Sequence, residues 1–294
     1  MNEKWFDIMN ITFSFGRNWI RYVKYVVDEN IIDNAVKSLR GFLGEKLNYK
    51  DRTFIDVGCG SGIFSLAAGI LGCSRIISID ADIESIQAAR MLRDRFAQKI
   101  NNGTEWEIIH GSILDNRLVE RFRNYGDIVY SWGVLHHTGD VRFAMKNTGE
   151  LVRQNGLLYI ALYNRTEASD WWLKFKRFYN RSSLLFKGAM IMMYFLFLKE
   201  EDIRKGRSPL KLINERGMHE LTDIIDWFGG LPYEPLTFDE VISFYEQRKF
   251  KTIKTKETMH HRPVYPDTVF KKYFVYLKQV GLGNNEYLFK RLLT

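Results

Sequence analysis

From about residue 53 onward, hydrophobic positions fall into two alternating textures: short runs of consecutive apolar residues, and longer stretches with apolar residues three or four apart. The runs Thr53–Val57, Arg75–Asp80, Trp106–His110, Asp127–Ser131 and Gly156–Tyr163 predict buried strands. The spaced patterns at Gly62–Leu71, Ile83–Lys99 and Val141–Val152 predict helices between them. Strands alternating with helices at this spacing predict a parallel sheet covered on both faces. Upstream, Ile32, Ala35, Val36, Leu39 and Leu43 recur at helical spacing, with Gly41 and Gly44 near the stop.

After Asn164 the rhythm stops for about 70 residues. Trp171, Trp172, Phe175, Phe178 and Tyr179 share one helical face, and Gly188–Leu198 is an uncharged run of 11 residues. That run is well short of the ~20 needed to span a bilayer. It reads most economically as a buried helix, although Lys187 and Lys199 at its ends would also suit a membrane interface. The α/β texture resumes at Thr237-Phe238-Asp239-Glu240, a capping-box pattern opening a helix Val241–Arg248. Strands Phe250–Thr258 and Asn285–Leu292 follow. The expected organisation is an N-terminal helical flap (1–50), an α/β core (51–164), a helical insertion (165–233) and the C-terminal part of the core (234–294). An insertion after the fifth strand lies over the carboxyl ends of the strands, where open α/β sheets bind ligands, so it should act as a lid.

Composition narrows the class. At roughly 150 residues per domain, 294 residues allow one large domain or two modest ones. With 46% hydrophobic and 27% charged residues, wholesale disorder is excluded. Two cysteines, Cys59 and Cys73, exclude a disulfide scaffold and a four-cysteine zinc site. The first residues do not open a signal peptide, so a reduced, cytoplasmic protein is expected. The net charge of +8 is uneven: residues 165–215 hold 11 Lys/Arg against 6 Asp/Glu, and residues 251–294 hold 9 against 3. Either excess could face an anionic partner, or simply keep the surface soluble.

The clearest chemistry is the stretch Phe54-Ile55-Asp56-Val57-Gly58-Cys59-Gly60-Ser61-Gly62-Ile63-Phe64. A buried strand runs into a turn with three glycines and then a helix, whose first N–H groups are free. Asp80 ends the next strand, 20 residues after Gly60, where a carboxylate can accept both hydroxyls of a ribose. A dinucleotide turn would place Gly at 63, which is Ile, and the Gly-Lys-Ser/Thr of a P-loop is missing.

The pattern Asp56 to Gly62 instead resembles the first motif of class I S-adenosylmethionine methyltransferases. Gly111-Ser112-Ile113 is similar to that family's adenine-edge position, although an acid often stands where Ser112 does. Gly126 to Thr138 is similar to its fourth-strand motif. Phe15–Trp19, Ser131–Thr138, Ala161–Asn164, Asp226–Pro232 and Asn285–Tyr287 together resemble a bacterial group of ubiquinone-biosynthesis-like methyltransferases. Asn284 departs from the Cys usual in that group. The resemblance implies a Rossmann-like α/β fold with a mixed seven-stranded sheet and a helical lid insertion after strand five, and S-adenosylmethionine as cofactor.

It also implies roles. Gly58, Cys59, Gly60 and Gly62 would let the backbone approach the methionine part, with Asp56 near its amino group. Asp80 and Ala81 would meet the ribose, Ser112 and Ile113 the adenine, and Trp132 and Gly133 the methyl group. His137, then His136, are the candidate bases, since histidine accepts a proton near neutral pH. Tyr163 is a third catalytic candidate, and Tyr163 and Asn164 both point toward the expected pocket. The leading expectation is O-methylation of a small molecule or a glycan- or lipid-linked precursor, with an anionic acceptor suiting the basic insertion. A tRNA methyltransferase and a non-catalytic cofactor-binding partner are the alternatives. The first is disfavoured because no Asn/Asp-Pro-Pro-Tyr/Phe block or RNA-binding module is present. His219, Asp223 and Asp226 meet no strict ligand spacing, so no metal is expected; His260-His261-Arg262 reads as a basic loop.

Overall fold

The protein is described from a computed structural model, which covers residues 15–204, 206, 208, 220–258 and 283–293. Its sheet has seven strands in the order β3-β2-β1-β4-β5-β7-β6. These are β1 (Thr53–Val57), β2 (Arg75–Asp80), β3 (Glu105–His110), β4 (Gly126–Trp132), β5 (Val152–Tyr163), β6 (Phe250–Lys256) and β7 (Asn284–Arg291). The first five run parallel, and β7 lies antiparallel between β5 and β6. The strand order reverses at β1, so the connections that leave the paired strands β1 and β4 diverge and leave a crevice above their carboxyl ends.

Helices α1 (Gly16–Tyr25), α2 (Glu29–Leu43), α3 (Ile63–Leu71) and α4 (Ile83–Arg95) precede β3. Helices α5 (Asn116–Arg121) and α6 (Val141–Leu151) flank β4, and α10 (Phe238–Glu246) precedes β6. Side-chain alternation along β1 divides the core: Phe54 joins Ile31, Leu39, Leu66 and Tyr159 on one face, while Ile55 joins Val129, Met145, Ile160 and Tyr245 on the other. The capping box predicted at Thr237 is present, with Glu240 N–H donating to the Thr237 hydroxyl and Thr237 N–H to the Glu240 carboxylate. The helix expected over Ile83–Lys99 ends at Arg95, because Phe96 leaves helical geometry and a tighter turn follows over Ala97–Lys99.

Between β5 and α10 lie α7 (Ser169–Arg181), α8 (Leu184–Arg204) and α9 (Glu220–Gly229). They share a third apolar cluster built on Trp172, Tyr179, Ile224, Phe228, Leu231 and Tyr233, with Tyr163 of β5 packed at its edge. The 188–198 run does not form a wholly buried helix. Met190, Ile191, Tyr194, Phe195 and Leu198 pack inward, whereas Met192, Met193 and Leu196 are exposed. The bounding lysines turn to the protein: Lys187 Nζ donates to Asn180 O at 3.0 Å, and Lys199 pairs with Asp202 and Glu220. Among the described residues no helix is long and apolar enough to cross a membrane.

Candidate active site

The glycine turn after β1 is pinned to β2. The Gly58 and Cys59 N–H groups both donate to Ile79 O, at 2.7 and 3.0 Å, and Gly62 N–H closes the turn onto Cys59 O. Gly58 and Gly60 have φ of 72° and 53°, which an L side chain adopts only under strain. A Cβ on Gly58 would stand 2.3 Å from Val134 Cγ1, and one on Gly60 would stand 2.8 Å from the Trp19 indole nitrogen. The backbone is therefore bare where the crevice opens. Gly62, also at positive φ, serves packing as well, since its Cβ would meet Ala89 of α4 at 3.1 Å.

Asp80, at the end of β2, accepts Gly60 N–H on one oxygen and Asp82 N–H on the other, both at 2.9 Å. Each oxygen keeps a further lone pair for a donor in the crevice. Burial pushes the Asp80 carboxyl up to about 6, with the two backbone N–H groups pulling the other way. Asp82 caps α4 through Glu84 N–H at 2.9 Å and holds Gly16 N–H of α1 at 3.0 Å. Asp56, within β1, is 2% exposed. It accepts the Ser65 hydroxyl at 2.6 Å, and Ser65 contacts Ser78, to which the Trp106 indole donates at 2.7 Å. Burial raises Asp56 to about 7; the Ser65 bond opposes the shift and Asp80 adds to it. Both carboxyls lie in a water-poor recess whose chemistry calls for a cation or for hydroxyl donors. Burial holds Cys59 as the thiol.

Two adjoining cavities result. One of about 630 Å³ is lined by Asp80, Ala81, Asp82, His110, Ser112, Ile113 and Pro232, among others. The second, of about 410 Å³, reaches Asp56, Tyr163, Tyr194, Asp223, Asp226 and Trp227. Gly58, Gly60, Trp132, Gly133, His137, Phe15 and Trp19 wall both.

The two histidines separate. His137 lines both cavities; its Nδ1 lies 2.5 Å from Pro232 O, which places the proton on Nδ1 and leaves the Nε2 lone pair open. Burial, reinforced by Lys176, lowers His137 to about 3, so it is neutral at physiological pH. His136 is fully buried and lines neither cavity. It accepts Tyr163 N–H on Nδ1 at 3.2 Å and lies against the Tyr163 ring at 3.9 Å. Its place is behind β5, where it aims the tyrosine. Burial drives the Tyr163 phenol well above its ordinary range, so it remains a hydrogen-bond donor. Asn164, also buried, is tied by its N–H to Gly283 O at 3.2 Å.

Several residues in the cavity wall or buried behind it stand outside the expected set. Asp226 reads in sequence as part of a solvated face, yet it accepts the Asn18 amide at 2.9 Å inside the cavity, and burial raises it to about 8. Lys176 of α7 is fully buried, its ammonium donating to Trp227 O and lying 4.1 Å from the Trp227 ring centre. Burial lowers its pKa well below the usual value. Tyr163 and Trp227 meet edge to face at 4.8 Å. The recurrence of Trp and Tyr in this part of the chain was the only signal available. No grouping of three metal-ligating side chains occurs among the described residues; His219 and the His260-His261-Arg262 loop lie outside them.

The family described as a methyltransferase domain matches residues 28–188. The ubiquinone biosynthesis O-methyltransferase of Pelagibacter ubique is 26% identical over 168 residues, covering 56% of this chain and 61% of that protein. The enzyme of the same name from Erwinia tasmaniensis is 25% identical over 209 residues, covering 70% and 72%. The match thus spans under two thirds of the first relative's length. Magnesium protoporphyrin IX methyltransferase from Synechocystis, solved with bound S-adenosylhomocysteine, superposes with a TM-score of 0.53 at 12% identity, covering 97% of this chain and 98% of that one. At that identity the likeness is one of fold.

Proposed function

This chain belongs to the methyltransferase domain family, and from that premise we propose that it methylates a hydroxyl oxygen of a small-molecule acceptor, with His137 as the base. S-adenosylmethionine, the methyl donor, supplies a sulfonium-bound methyl group that needs no further activation at carbon. The residues present suit it. Asp80 has lone pairs for the ribose hydroxyls, Ser112 and Ile113 border the same cavity, and Asp56 is a buried carboxyl in want of the methionine ammonium.

The observation that carries the reading is the shared wall at Gly58, Gly60, Trp132, Gly133 and His137, which joins a nucleoside-sized cavity to an aromatic one. Helices α7 to α9 act as the lid, and alignment of the acceptor is their contribution to rate. An alcohol loses its proton as the methyl arrives. His137, fixed as the Nδ1–H tautomer by Pro232 O, takes that proton on Nε2, against the lowering of its basicity by burial and Lys176. Tyr163 and the Trp227 indole offer donors to the acceptor. The relatives named as O-methyltransferases support oxygen as the target.

The lining of the acceptor cavity bears on the acceptor's charge. Asp56, Asp223 and Asp226 line it, and no lysine or arginine does among the described residues. A neutral polyol or sugar hydroxyl group, or a cationic acceptor, fits such a lining better than an anion; the basic surplus of the insertion lies elsewhere.

The test is incubation with methyl-labelled S-adenosylmethionine and candidate hydroxylated acceptors, with products identified by mass spectrometry. His137→Gln should lower turnover by about 10²–10⁴-fold, the span of general-base catalysis, with S-adenosylhomocysteine affinity retained. Full turnover by that variant would remove the base, and a product methylated on nitrogen or carbon would remove the oxygen.

A further inference from the structure

Of the fourteen exposed large hydrophobic side chains among the described residues, eight lie between Phe178 and Ile203. They are not scattered. Leu185, Ala189, Met192, Met193 and Leu196 fall at i, i+4, i+7, i+8 and i+11 of α8, one continuous stripe on the side turned away from the third cluster. Leu184 and Phe186 widen it at the α7–α8 corner, where Leu185 is 87% exposed, and Phe178 is exposed one turn before. Scattered exposed hydrophobics are ordinary, but a contiguous face of this kind marks a contact surface.

Charge identifies the occupant. Residues 171–199 contain six Lys/Arg and no Asp or Glu. Lys176 is buried, Lys187 is bonded to Asn180, and Lys199 is paired with acids. The remaining three, Lys174, Arg177 and Arg181, are exposed on the same face of α7 as Phe178 and make no ion pair with an acid among the described residues. Between Lys187 and Lys199 the outer side offers no side-chain donor or acceptor, since Tyr194 points into the acceptor cavity. A protein partner would meet polar groups of both kinds at a rim. An unbroken apolar stripe beside cations of one sign is the pattern of a helix lying in a headgroup layer.

We propose that the outer face of α7 and α8 docks the protein on an anionic lipid surface, with Leu184–Phe186, Met192, Met193 and Leu196 entering the acyl boundary and Lys174, Arg177 and Arg181 meeting the headgroup phosphates. The inner side of α8 carries Tyr194 into the acceptor cavity, so docking sets that cavity beside the lipid. Only this last consequence rests on the acceptor reading above.

The test is vesicle flotation of the full chain with phosphatidylcholine alone and with phosphatidylcholine mixed with phosphatidylglycerol. Binding should require phosphatidylglycerol and weaken with salt. The triple variant Lys174→Gln, Arg177→Gln, Arg181→Gln should bind about a hundredfold more weakly, at roughly a factor of five lost per basic residue. Leu185→Glu with Met193→Glu should abolish flotation, and S-adenosylhomocysteine binding by every variant should stay unchanged, showing the fold intact. No flotation of the unmodified chain would overturn the proposal. So would flotation indifferent to these residues, or a concentration-dependent dimer that Leu185→Glu splits, which would assign the face to a second copy. Methyl transfer enters none of these readouts, so failure here leaves the catalytic reading standing.

Discussion

Burial pushes Asp56 up to about 7 and Asp80 up to about 6, so both carboxyls hold their protons more tightly folded than unfolded. The folded state then carries more protons than the unfolded chain between about pH 4 and 7. Their contribution to stability is full below pH 4 and is lost as pH rises through 6 and 7. Scanning calorimetry of the ligand-free protein should therefore find its Tm, measured against that of Asp56→Asn, lower near pH 8 than near pH 5.5. A Tm offset from Asp56→Asn that is the same at both pH values would count against this placement of the charge. An ammonium beside Asp56 and hydroxyls on Asp80 favour the ionised forms, so cofactor binding near pH 7 should release protons, read from calorimetry in buffers of different ionisation enthalpy. Gly58→Ala, which drives a Cβ into Val134 at positive φ, should destroy cofactor binding while Gly41→Ala, with open space around it, should not. Residue roles were partly legible: the glycine turn and Asp80 form a local pattern. His136 and His137 are adjacent in one short helical turn, and nothing in sequence says which one faces the cavity; that depends on Pro232 and Tyr163, distant in the chain.

At the scale of elements, α1 ties the two halves of the site together. Its Gly16 N–H is held by Asp82 beside the nucleoside cavity, and its Asn18 amide by Asp226 in the insertion, while Trp19 covers Gly60. Asp82→Ala removes the α4 cap and the Gly16 anchor at once. Chemical denaturation should show a loss of about 1–3 kcal/mol, made of one cap and one further charge-assisted bond; a loss within error would show α1 held by packing alone. Asn18→Ala should leave stability nearly unchanged yet speed release of S-adenosylhomocysteine in stopped-flow fluorescence. The βα alternation was readable because each strand and helix carries its own period. The exposure of Met192, Met193 and Leu196 was not, because a continuous apolar run has no period to reveal which side is covered. Likewise Asp223 and Asp226, three apart on α9, have the spacing of a solvated face and become cavity wall only through the docking of α9 beside β5.

At the scale of the molecule, the site is assembled from the carboxyl ends of β1, β2, β4 and β5, from α1, and from the insertion. β1, β2 and the insertion contribute groups that are costly when buried alone: Asp56, Asp80, Asp226 and Lys176. A ligand that satisfies the first two should stabilise the whole fold, by about 2.7 kcal/mol at a hundredfold excess over Kd and hence by several degrees in Tm. The most direct measurement is isothermal titration calorimetry with S-adenosylhomocysteine on the unmodified chain and on Asp80→Ala. One site per chain is expected, with affinity in the variant weakened roughly 10–100-fold for the lost bonds to a charged acceptor. Absence of binding by the unmodified chain, or equal affinity in Asp80→Ala, would contradict the assignment of the crevice to the cofactor.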